Sequence, residues 1–432
     1  MSPSTNFTEN SIPKINAVLR SVMNSHLSNF YRNKYAGSDI GNISSYDDFA
    51  KIPFLLKNDF LAVGAKNITF VPDEELVSYS VSSGTTSYNK PSLIPWAKEP
   101  AVGGENAAKH GIRKLLLLSS PLAPGFWKNI ITPVNGVMYV PGDTNNLKLT
   151  AELAKQIKID GINTSPTILY FFMEHLREAG FDLSSVKWIF LGSEFCSKQK
   201  LRYFKTEFPS AAIDFRYAAS EVGVCGSRCE YLSKNDDPAI FHPNEDILME
   251  IVDNNGNALE FGHTGKIVVT TLGKMAFPLL RYMTNDMGSI KRSSCPCKAA
   301  YELYLGGRAD FDVMRFSGVT LSVQVIENSL DSIREYIEPK FQMHVYEEFR
   351  EGKIMQKLAI HLKLKEKYAE NKNDHYFTKI MIENISSALH LSAKSTLKQL
   401  VEQNVFLPLE IVYLDSWPKD HPKSKNIISH IE

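Results

Sequence analysis

Small hydroxyl side chains crowd into one stretch of the chain, Ser80–Pro91, which reads SVSSGTTSYNKP. Hydroxyl groups, backbone amides beside a glycine and a lysine ammonium can all converge on phosphate oxygens. The residues that would supply them are Ser82, Ser83, Gly84, Thr85, Thr86 and Lys90. The Walker pattern, GxxxxGK followed by Ser or Thr, is absent, and a solvated turn has the same composition. Taken alone, the stretch indicates either a phosphate-binding loop or a surface turn.

Three later stretches place charged side chains at the ends of apolar runs. In 217-YAASE-221, Glu221 is predicted to be an exposed strand-end carboxylate able to bind Mg²⁺, or else a first-turn residue of a helix capped by Ser220. In 278-PLLRYMTNDMG-288, Asp286 is predicted to lie in a turn, where it can accept hydrogen bonds from ribose hydroxyls. In 305-LGGRADFDVMRFSGV-319, Arg308 marks a predicted domain boundary. Each stretch alone is equally typical of a cap, a turn or a linker.

Four of the five cysteines form two close pairs, Cys225 with Cys229 and Cys295 with Cys297. An odd number of cysteines does not suit a disulfide framework, so metal binding is favoured over disulfides, with unliganded thiols as the alternative. His242 lies between the pairs, and 295-CPC-297 is predicted to form a hairpin-like loop. The fifth thiol, Cys196, is typical of a plain buried cysteine.

Alternating strand and helix patterns position these stretches in the first part of the chain. Such alternation indicates βαβ units and a mostly parallel sheet. The predicted strands are Val77–Val81, Leu115–Leu118, Gly136–Val140, Gly161–Thr164, Val186–Leu191 and Ile213–Tyr217, and the predicted helices are Leu149–Ile157, Ile168–Glu178 and Lys198–Phe208. Upstream, Lys14–Tyr35 and Ser45–Phe60 have helical patterns, the second broken at Pro53.

The pattern changes after Phe241, where ILMEIVDNNGNAL predicts two strands around an Asn-Asn-Gly turn and KIVVTTL predicts another. An antiparallel β-subdomain is therefore expected at about 225–300. Beyond Gly306–Arg308 the chain predicts a compact mixture of strands and helices. Its elements are Asp312–Phe316, Val323–Tyr336, Phe341–Tyr346, Leu358–Leu364, the long helix Asp374–Leu389 and Leu409–Leu414. The expected organisation is an α/β N-terminal domain, 1–307, and a small α+β C-terminal domain, 308–432.

The composition narrows the function classes. A chain of 432 residues, 43% of them hydrophobic, is too long for a single core and favours two or more domains. The 48 basic and 48 acidic side chains balance, so the totals predict neither a nucleic-acid surface nor an anionic-membrane surface. The polar N-terminus lacks a secretory signal pattern and no apolar run is long enough to span a bilayer, so a cytoplasmic protein is expected.

The order and spacing of the four charged or hydroxyl-rich stretches resemble the adenylate-forming superfamily of acyl-CoA synthetases, and within it the phenylacetate-CoA ligase branch. Further stretches resemble that branch, namely 26-HLSNFYRNKY-35, 48-DFAKIPFLLKNDF-60, 164-TSPTIL-169 and 191-LGSE-194. The resemblance therefore covers nearly the whole chain. It implies a large multi-sheet N-terminal adenylate-forming domain with a β-subdomain, and a small mobile C-terminal domain.

The resemblance also implies a role for individual residues. The ATP phosphates would be held by Ser82, Ser83, Gly84, Thr85, Thr86 and Lys90, with Thr86 also counted as catalytic. Tyr217, Ala218 and Ser220 would bind the adenine end of the nucleotide, Glu221 would bind Mg²⁺, and Asp286 would hold the ribose hydroxyls with Arg308 nearby. Asp310 would be the hinge of the C-terminal domain. In the tail, Lys425 would assist adenylation, with Lys423 as second candidate.

Some members of this branch hold a structural zinc with cysteines, a histidine and a Cys-x-Cys pair, and this chain resembles them. The implied ligands are Cys229, His242, Cys295 and Cys297, a closed set suited to tetrahedral Zn²⁺. Cys225 or His263 can take the place of one of these ligands.

The sequence departs from the family pattern at three places. Ser87-Tyr88-Asn89 stands where the family has a single glycine before Lys-Pro, and Asn285 replaces a glycine in the ribose motif. The tail, 418-PKDHPKSKNIISHIE-432, lacks the glycine before and the arginine after the expected lysine. These differences bear on nucleotide binding and on the role of Lys425.

The implied activity is ATP-dependent conversion of a carboxylic acid, with an aryl acid favoured, to an acyl-adenylate, followed by transfer to coenzyme A. The acid pocket is expected near Ser119–Trp127, Thr164–Thr167 and Gly192–Glu194, where Phe126 and Trp127 either pack on the acid or belong to the core. One alternative acceptor is a carrier protein, through its phosphopantetheine, or another protein thiol. A second alternative is a non-catalytic nucleotide-binding member. A homodimer is left open.

Overall fold

The computed structural model describes residues 3–82, 92–97, 110–119, 136–193, 196, 198–308, 313–316, 319–350, 352–392, 395–417 and 426–431. The chain divides into two compact units, Met1–Ala309 and Asp310–Glu432. No described helix is both long enough and apolar enough to cross a bilayer.

Short helices surround the sheet of the first unit. They are Ile12–Met23, Phe30–Lys34, Tyr46–Ala50, Lys57–Leu61, Leu147–Ile157, Pro166–Glu178, Lys198–Glu207 and Glu230–Ser233. Pro166–Glu178 shows why such a helix begins where it does, because the Ser165 hydroxyl accepts from the Ile168 amide and Pro166 occupies the first turn. The break predicted at Pro53 is confirmed, since it separates Tyr46–Ala50 from Lys57–Leu61.

Up to Ala219, the six predicted runs are strands whose ends lie within two residues of the prediction, but Ser92–Ala97 was not predicted, and Leu76–Ser82 pairs with it in an antiparallel hairpin instead of joining the parallel sheet. The strands of the first unit are β1 Leu76–Ser82, β2 Ser92–Ala97, β3 Lys114–Leu117, β4 Met138–Pro141, β5 Gly161–Thr164, β6 Trp188–Leu191, β7 Ala212–Ala219, β8 Gly223–Ser227, β9 Ile240–Pro243, β10 Ile247–Val252, β11 Gly265–Thr271, β12 Tyr282–Arg292 and β13 Tyr301–Arg308. Among the described residues, β1 and β2 form a separate antiparallel hairpin, and the other strands form one sheet in the order β10-β11-β12-β13-β9-β8-β7-β6-β5-β3-β4.

One half of this sheet is parallel, as predicted. Strands β3 to β7 pair in parallel, with described helices in the three connections from β4 to β7, and β6 is buried along its whole length. This burial on both faces explains the continuous apolar run Trp188–Leu191. The carboxyl end of β7 carries the Tyr217 to Glu221 stretch to the edge of the parallel half, where ligands of such sheets usually bind.

The other half is antiparallel, and two sequence predictions need correction there. The run after the Asn-Asn-Gly turn is not a strand: only Ala258 bridges back to Val252, and the full partner of β10 is β11. Asp286 does not lie in a turn but within β12, because Asn285 adopts φ +63° and lets the strand continue. Asparagine tolerates this left-handed conformation better than most residues, which accounts for its standing at a glycine position.

The N-terminal helices are fastened to the antiparallel half of the sheet. The Leu55 amide donates to the Arg281 carbonyl and the Met283 amide donates to the Leu55 carbonyl. The buried Arg281 guanidinium pairs with Glu250 at 3.0 Å, and Tyr46 also donates to that carboxylate. These contacts place the helix Lys57–Leu61 directly beside β12.

The second unit is a two-layer arrangement of helices on a sheet. Its helices are Val323–Leu330, His375–Ala388 and Leu397–Glu402, and its strands are β14 Val313–Phe316, β15 Val319–Ser322, β16 Ile337–Arg350, β17 Lys353–Leu364, β18 Glu410–Tyr413 and β19 Ile427–Ser429. The described strands β18-β17-β16-β19 form one sheet. Strand β19, in the tail, is an element that the sequence pattern did not predict.

Candidate active site

A buried tyrosine and an aspartate from different strands meet at the centre of the first unit. The Tyr217 hydroxyl donates to Asp286 Oδ2 at 2.7 Å, and the Tyr217 side chain is 5% exposed. Burial, followed by the Asp286 charge, raises the pKa of Tyr217 well above its ordinary value, so the phenol remains a donor. Ala218, the next residue, is exposed on the opposite face of the strand. Tyr217 thus orients Asp286 while Ala218 faces outward.

Strand pairing brings the two ribose-binding candidates side by side. In the β12–β13 ladder, Asp286 stands directly opposite Arg308. The Asp286 amide also donates to Thr284 Oγ1 at 3.1 Å, which fixes the backbone beside the left-handed Asn285. The carboxylate is therefore held at a defined position on the sheet.

The prediction that Glu221 is exposed is wrong. Its residue exposure is 6%, and Lys57 Nζ lies 2.9 Å from its Oε1. The alternative that Ser220 caps a helix is also wrong, because β7 and β8 are joined by a tight turn in which the Val222 amide donates to the Ala219 carbonyl. A carboxylate in such a site needs a counter-charge, and Lys57 supplies it.

The hairpin β1–β2 is tied to the same turn. Ser80 Oγ donates to the Ser220 carbonyl at 3.2 Å, and Trp96 Nε1 donates to Ser80 Oγ at 2.8 Å. Ser82 is paired with Ser92 at the loop end of the hairpin. Ser82 and Ser92 flank residues 83–91, which include most of the hydroxyl-rich stretch, and the hairpin that ends at these two residues contacts the Glu221 turn through Ser80.

All four predicted zinc ligands converge at the end of the antiparallel half. One donor atom from each of Cys229, His242, Cys295 and Cys297 lies within 4.8 Å of the others. The Cys229 and Cys295 sulfurs are 3.5 Å apart, and Cys297 Sγ lies 3.2 Å from His242 Nε2. Ligand atoms of a tetrahedral zinc site are separated by about 3.3 to 3.8 Å, so the donor set fits this ion.

The surrounding structure orients these donors. His242 Nδ1 lies 2.9 Å from the Tyr301 carbonyl oxygen, which leaves Nε2 to face the sulfurs. Cys295 and Cys297 lie in the loop between β12 and β13, as predicted for a hairpin. The two substitute ligands are elsewhere: Cys225 is fully buried, and His263 is exposed and is not part of the cluster.

Several predicted site residues lie outside the described residues. They are Ser83, Gly84, Thr85, Thr86, Lys90, Phe126, Trp127, Asp310, Lys423 and Lys425, together with the side chains of Ser82 and Arg308. Their roles remain predictions from the sequence.

Sequence reasoning missed Lys57, Lys274 and Trp96, which surround the Glu221 turn. Lys274 Nζ donates to the Glu221 carbonyl and lies 3.8 Å from the centre of the Trp96 ring. A lysine at the start of a short helix or in a connection between strands has the pattern of a surface residue. The apolar neighbours of Lys274, in GKMAFPLL, were the available signal that it is buried.

The chain is similar to known proteins over most of its length. A profile described as AMP-binding enzyme matches residues 127–276. The phenylacetate-coenzyme A ligase of Pseudomonas putida is 26% identical over 399 residues, covering 85% of this chain and 87% of that protein. The phenylacetate-coenzyme A ligase of Thermus thermophilus is 26% identical over 337 residues, covering 74% of each.

Solved structures share the fold. A 2-hydroxyisobutyryl-CoA ligase in complex with 2-HIB-AMP and CoA, in the thioesterification state, superposes with a TM-score of 0.64 at 17% identity, covering 98% of this chain and 89% of that chain. An open conformation of the same ligase gives a TM-score of 0.61 at 16% identity, covering 97% and 91%. At this identity the likeness concerns the fold alone.

Proposed function

We infer that this chain, which belongs to the adenylate-forming superfamily on its phenylacetate-CoA ligase-like branch, uses ATP to join a carboxylic acid to coenzyme A. The products are the acyl-CoA, AMP and pyrophosphate. The observation that carries this inference is the convergence of three motifs: Tyr217 holds Asp286 opposite Arg308, and Glu221 lies in the turn after Tyr217.

The reaction needs positioning more than it needs a nucleophilic side chain. A carboxylate oxygen of the acid bonds to the α-phosphorus of ATP while the bond to pyrophosphate breaks. The thiol sulfur of coenzyme A then bonds to the acyl carbon, AMP leaves, and the thiol proton is lost. Orientation and charge neutralisation supply most of the rate in such phosphoryl chemistry. A site built from fixed carboxylates, amides and cations suits this demand.

Asp286 is suited to bind the ribose. An ionised carboxylate accepts hydrogen bonds from vicinal hydroxyls, and Tyr217 fixes one of its oxygens at 2.7 Å. Cys225, buried behind this pair, stays a neutral thiol because burial and then the Asp286 charge raise its pKa. The exposed Ala218 leaves room for a planar base against the strand edge.

Glu221 fits a magnesium site that is completed by substrate. Magnesium is commonly held by one or two carboxylates together with substrate phosphates, and it neutralises their charge. Glu221 is one such carboxylate, and Lys57 Nζ at 2.9 Å from Oε1 orients it. If Glu221→Gln exchanged pyrophosphate as fast as the wild type at limiting Mg²⁺, this role would be wrong.

The remaining nucleotide residues are proposed on the family resemblance. The segment 83–91 would grip the phosphates, Asp310 would act as the hinge of the mobile second unit, and Lys425 would assist adenylation. Lys425→Ala should lose most pyrophosphate exchange while keeping transfer from a supplied acyl-adenylate to coenzyme A. Unchanged exchange in this variant would shift the role to Lys423 or Lys419.

The cysteine cluster is proposed to hold a structural zinc. Four ligands and no open position match structural rather than catalytic sites, and the 3.2 and 3.5 Å contacts fit tetrahedral coordination. The zinc would fasten the β12–β13 loop to β9 and to the turn before Glu230–Ser233. Elemental analysis of purified protein should find about one zinc per chain.

The acid and the acceptor define the main experiment. We propose an aryl acid, because the sequence relatives are phenylacetate-coenzyme A ligases. Acid-dependent pyrophosphate exchange across aryl, fatty and hydroxy acids should identify the substrate. Coenzyme A and a phosphopantetheinylated carrier protein, offered in turn, then separate the two acceptors. Bound ATP without exchange for any acid would favour the non-catalytic alternative. Light scattering of the same samples would decide whether the chain forms a homodimer.

A further inference from the structure

A buried lysine of the first unit, Lys274, contacts both the Glu221 turn and the hairpin β1–β2. Lys274 is 5% exposed, its ammonium donates to the Glu221 carbonyl oxygen, and it lies 3.8 Å from the centre of the Trp96 ring. An ammonium is costly to bury unless donors and aromatic faces replace its water. Here a carbonyl and an indole ring both do so.

Trp96 extends these contacts back to the turn. Its Nε1 donates to Ser80 Oγ, and the Ser80 hydroxyl donates onward to the Ser220 carbonyl. A hydroxyl can donate one hydrogen bond and accept others, so Ser80 can accept from Trp96 and donate to Ser220 at the same time. Ser220 and Glu221 are adjacent, and their two carbonyls both connect to Trp96 in the hairpin, the first through Ser80 and the second through Lys274. Together these contacts form a closed ring.

Packing at the turn supports this connection. Gly223 has φ +93°, and a Cβ on it would lie 3.1 Å from the Trp96 ring, so the indole lies directly against the turn backbone. Ser82 pairs with Ser92 at the end of the hairpin. The hairpin that leads into residues 83–91 is thus held at a fixed position relative to the Glu221 carboxylate.

We propose that Lys274 and Trp96 are positioning residues for adenylation, which hold the turn that carries the Glu221 carboxylate against the hairpin β1–β2. This rests on the proposed function, in which Glu221 binds the Mg²⁺ that accompanies the ATP phosphates. Misplacement of about 1 Å in such an arrangement costs up to about a hundredfold in rate. Neither residue touches substrate in this account, so both act through the groups they hold.

Lys274→Met tests the proposal, because it keeps the length and apolar contacts of the side chain but removes the ammonium. We expect the dissociation constant for MgATP, measured without acid, to rise about tenfold, with a matching rise in the KM for ATP in pyrophosphate exchange. The KM for the acid and the rate of transfer from a supplied acyl-adenylate to coenzyme A should stay within about twofold. A general loss of structure would move all of these together.

Lys291→Met is the matched control. Lys291 is exposed, and its ammonium lies 4.5 Å from the Tyr304 ring, so the substitution removes a lysine–aromatic contact away from the Glu221 turn. ATP binding should be unchanged in this variant. Trp96→Phe is the milder companion to Lys274→Met, since it keeps an aromatic face for Lys274 and removes the hydrogen bond to Ser80 and the part of the indole that lies against Gly223. It tests the ring of contacts even if Lys274→Met does not fold.

The double variant of Trp96→Phe and Lys274→Met decides whether the residues act as one unit. A ring of contacts predicts that the second substitution adds less than about threefold to the first. Unchanged ATP affinity in both single variants, or equal increases in the KM values for ATP and acid, would overturn the proposal. A wild-type protein that binds ATP but exchanges no pyrophosphate would instead overturn the proposed function, and the ATP affinities would still decide the positioning role.

Discussion

The proposed nucleotide site and the cysteine cluster lie on the same sheet but differ in how their polar groups are paired. At the nucleotide site each carboxylate already has a protein partner: Asp286 accepts from Tyr217, and Glu221 pairs with Lys57. In the cluster, Cys229 faces Cys295 and Cys297 faces His242, so soft donors face one another.

On this basis, the carboxylates of the proposed nucleotide site would change partners when substrate binds, whereas the cysteine cluster would keep one bound ion. A paired carboxylate is stable without ligand and can transfer contacts to ribose or metal when substrate arrives. Converged thiols and an imidazole gain little from one another and much from a soft cation. We therefore expect the cluster to control stability and the nucleotide site to control ATP use, each with little effect on the other.

The largest expected effect comes from removing two cluster ligands. Cys295→Ser with Cys297→Ser should abolish zinc binding and lower the free energy of unfolding of the first unit by about 3 kcal/mol or more. Elemental analysis and urea unfolding would measure both. Cys196→Ala is the matched control, because it removes a buried thiol outside the cluster and should leave the zinc content unchanged. If the double variant bound no zinc but kept the wild-type free energy of unfolding, the expected role of the cluster in stability would be wrong.

Asp286→Asn should have the next largest effect. The amide keeps the size of the side chain but removes the charge that would accept from the ribose hydroxyls. We expect kcat/KM for ATP to fall about a hundredfold, which corresponds to about 2.7 kcal/mol of lost binding. Zinc content and the urea midpoint should barely change. A fall in zinc content would show that the two regions are coupled after all.

Tyr217→Phe should weaken ATP use less, by about tenfold, because it leaves Asp286 charged but no longer oriented. The ring keeps its packing against Phe241, at 6.3 Å between centroids, so the fold is retained. Steady-state exchange at varied ATP would show the change as a higher KM. Wild-type KM in this variant would mean that Asp286 is oriented by other contacts.

The smallest expected effect is a pH dependence of the stability of the second unit. Three histidine side chains lie close together there. His344 Nδ1 lies 2.9 Å from His430 Nε2, and its ring lies 3.9 Å from that of His361. Burial, followed by the neighbouring histidines, lowers the pKa of His344 to about 4. The folded unit therefore binds fewer protons than the unfolded chain, and its stability falls as pH drops from about 6.5 toward 4.

Hydrogen exchange in peptides covering β16 and β17 would measure this loss, which we expect to be about 1 kcal/mol at pH 5 after solvent screening. His344→Phe should flatten the dependence, whereas His375→Gln, at an exposed helix start, should preserve it. Equal slopes in all three proteins would exclude His344 as the cause.

The sequence predicted best the features that depend on local pattern. Strand β5 has the predicted ends, Gly161 and Thr164, because a short apolar run there is followed directly by a helix-starting Ser-Pro. The hairpin loop around Cys295 and Cys297 is also encoded locally, whereas its meeting with Cys229 and His242 was predicted from the family resemblance and agrees with the structure.

The features that failed depend on contacts from distant parts of the chain. Glu221 is buried because Lys57, from the N-terminal helices, packs against it. Strand β19 has only three residues and exists through pairing with β16. Asp286 was predicted in a turn because Asn-Asp is typical of one, but the β13 ladder carries the strand through. Local propensity is overridden by tertiary pairing at each of these positions.

The central claim is tested most directly by acid-dependent pyrophosphate exchange in the zinc-loaded protein, before and after Mg²⁺ is removed by gel filtration into magnesium-free buffer and then restored. The account predicts that exchange falls at least about a hundredfold without Mg²⁺ and returns fully when it is restored, because phosphate charge is then neutralised again. The zinc content should stay at about one per chain throughout, because the cluster is closed. Exchange that persists without Mg²⁺, or zinc that leaves as exchange is lost, would contradict the account.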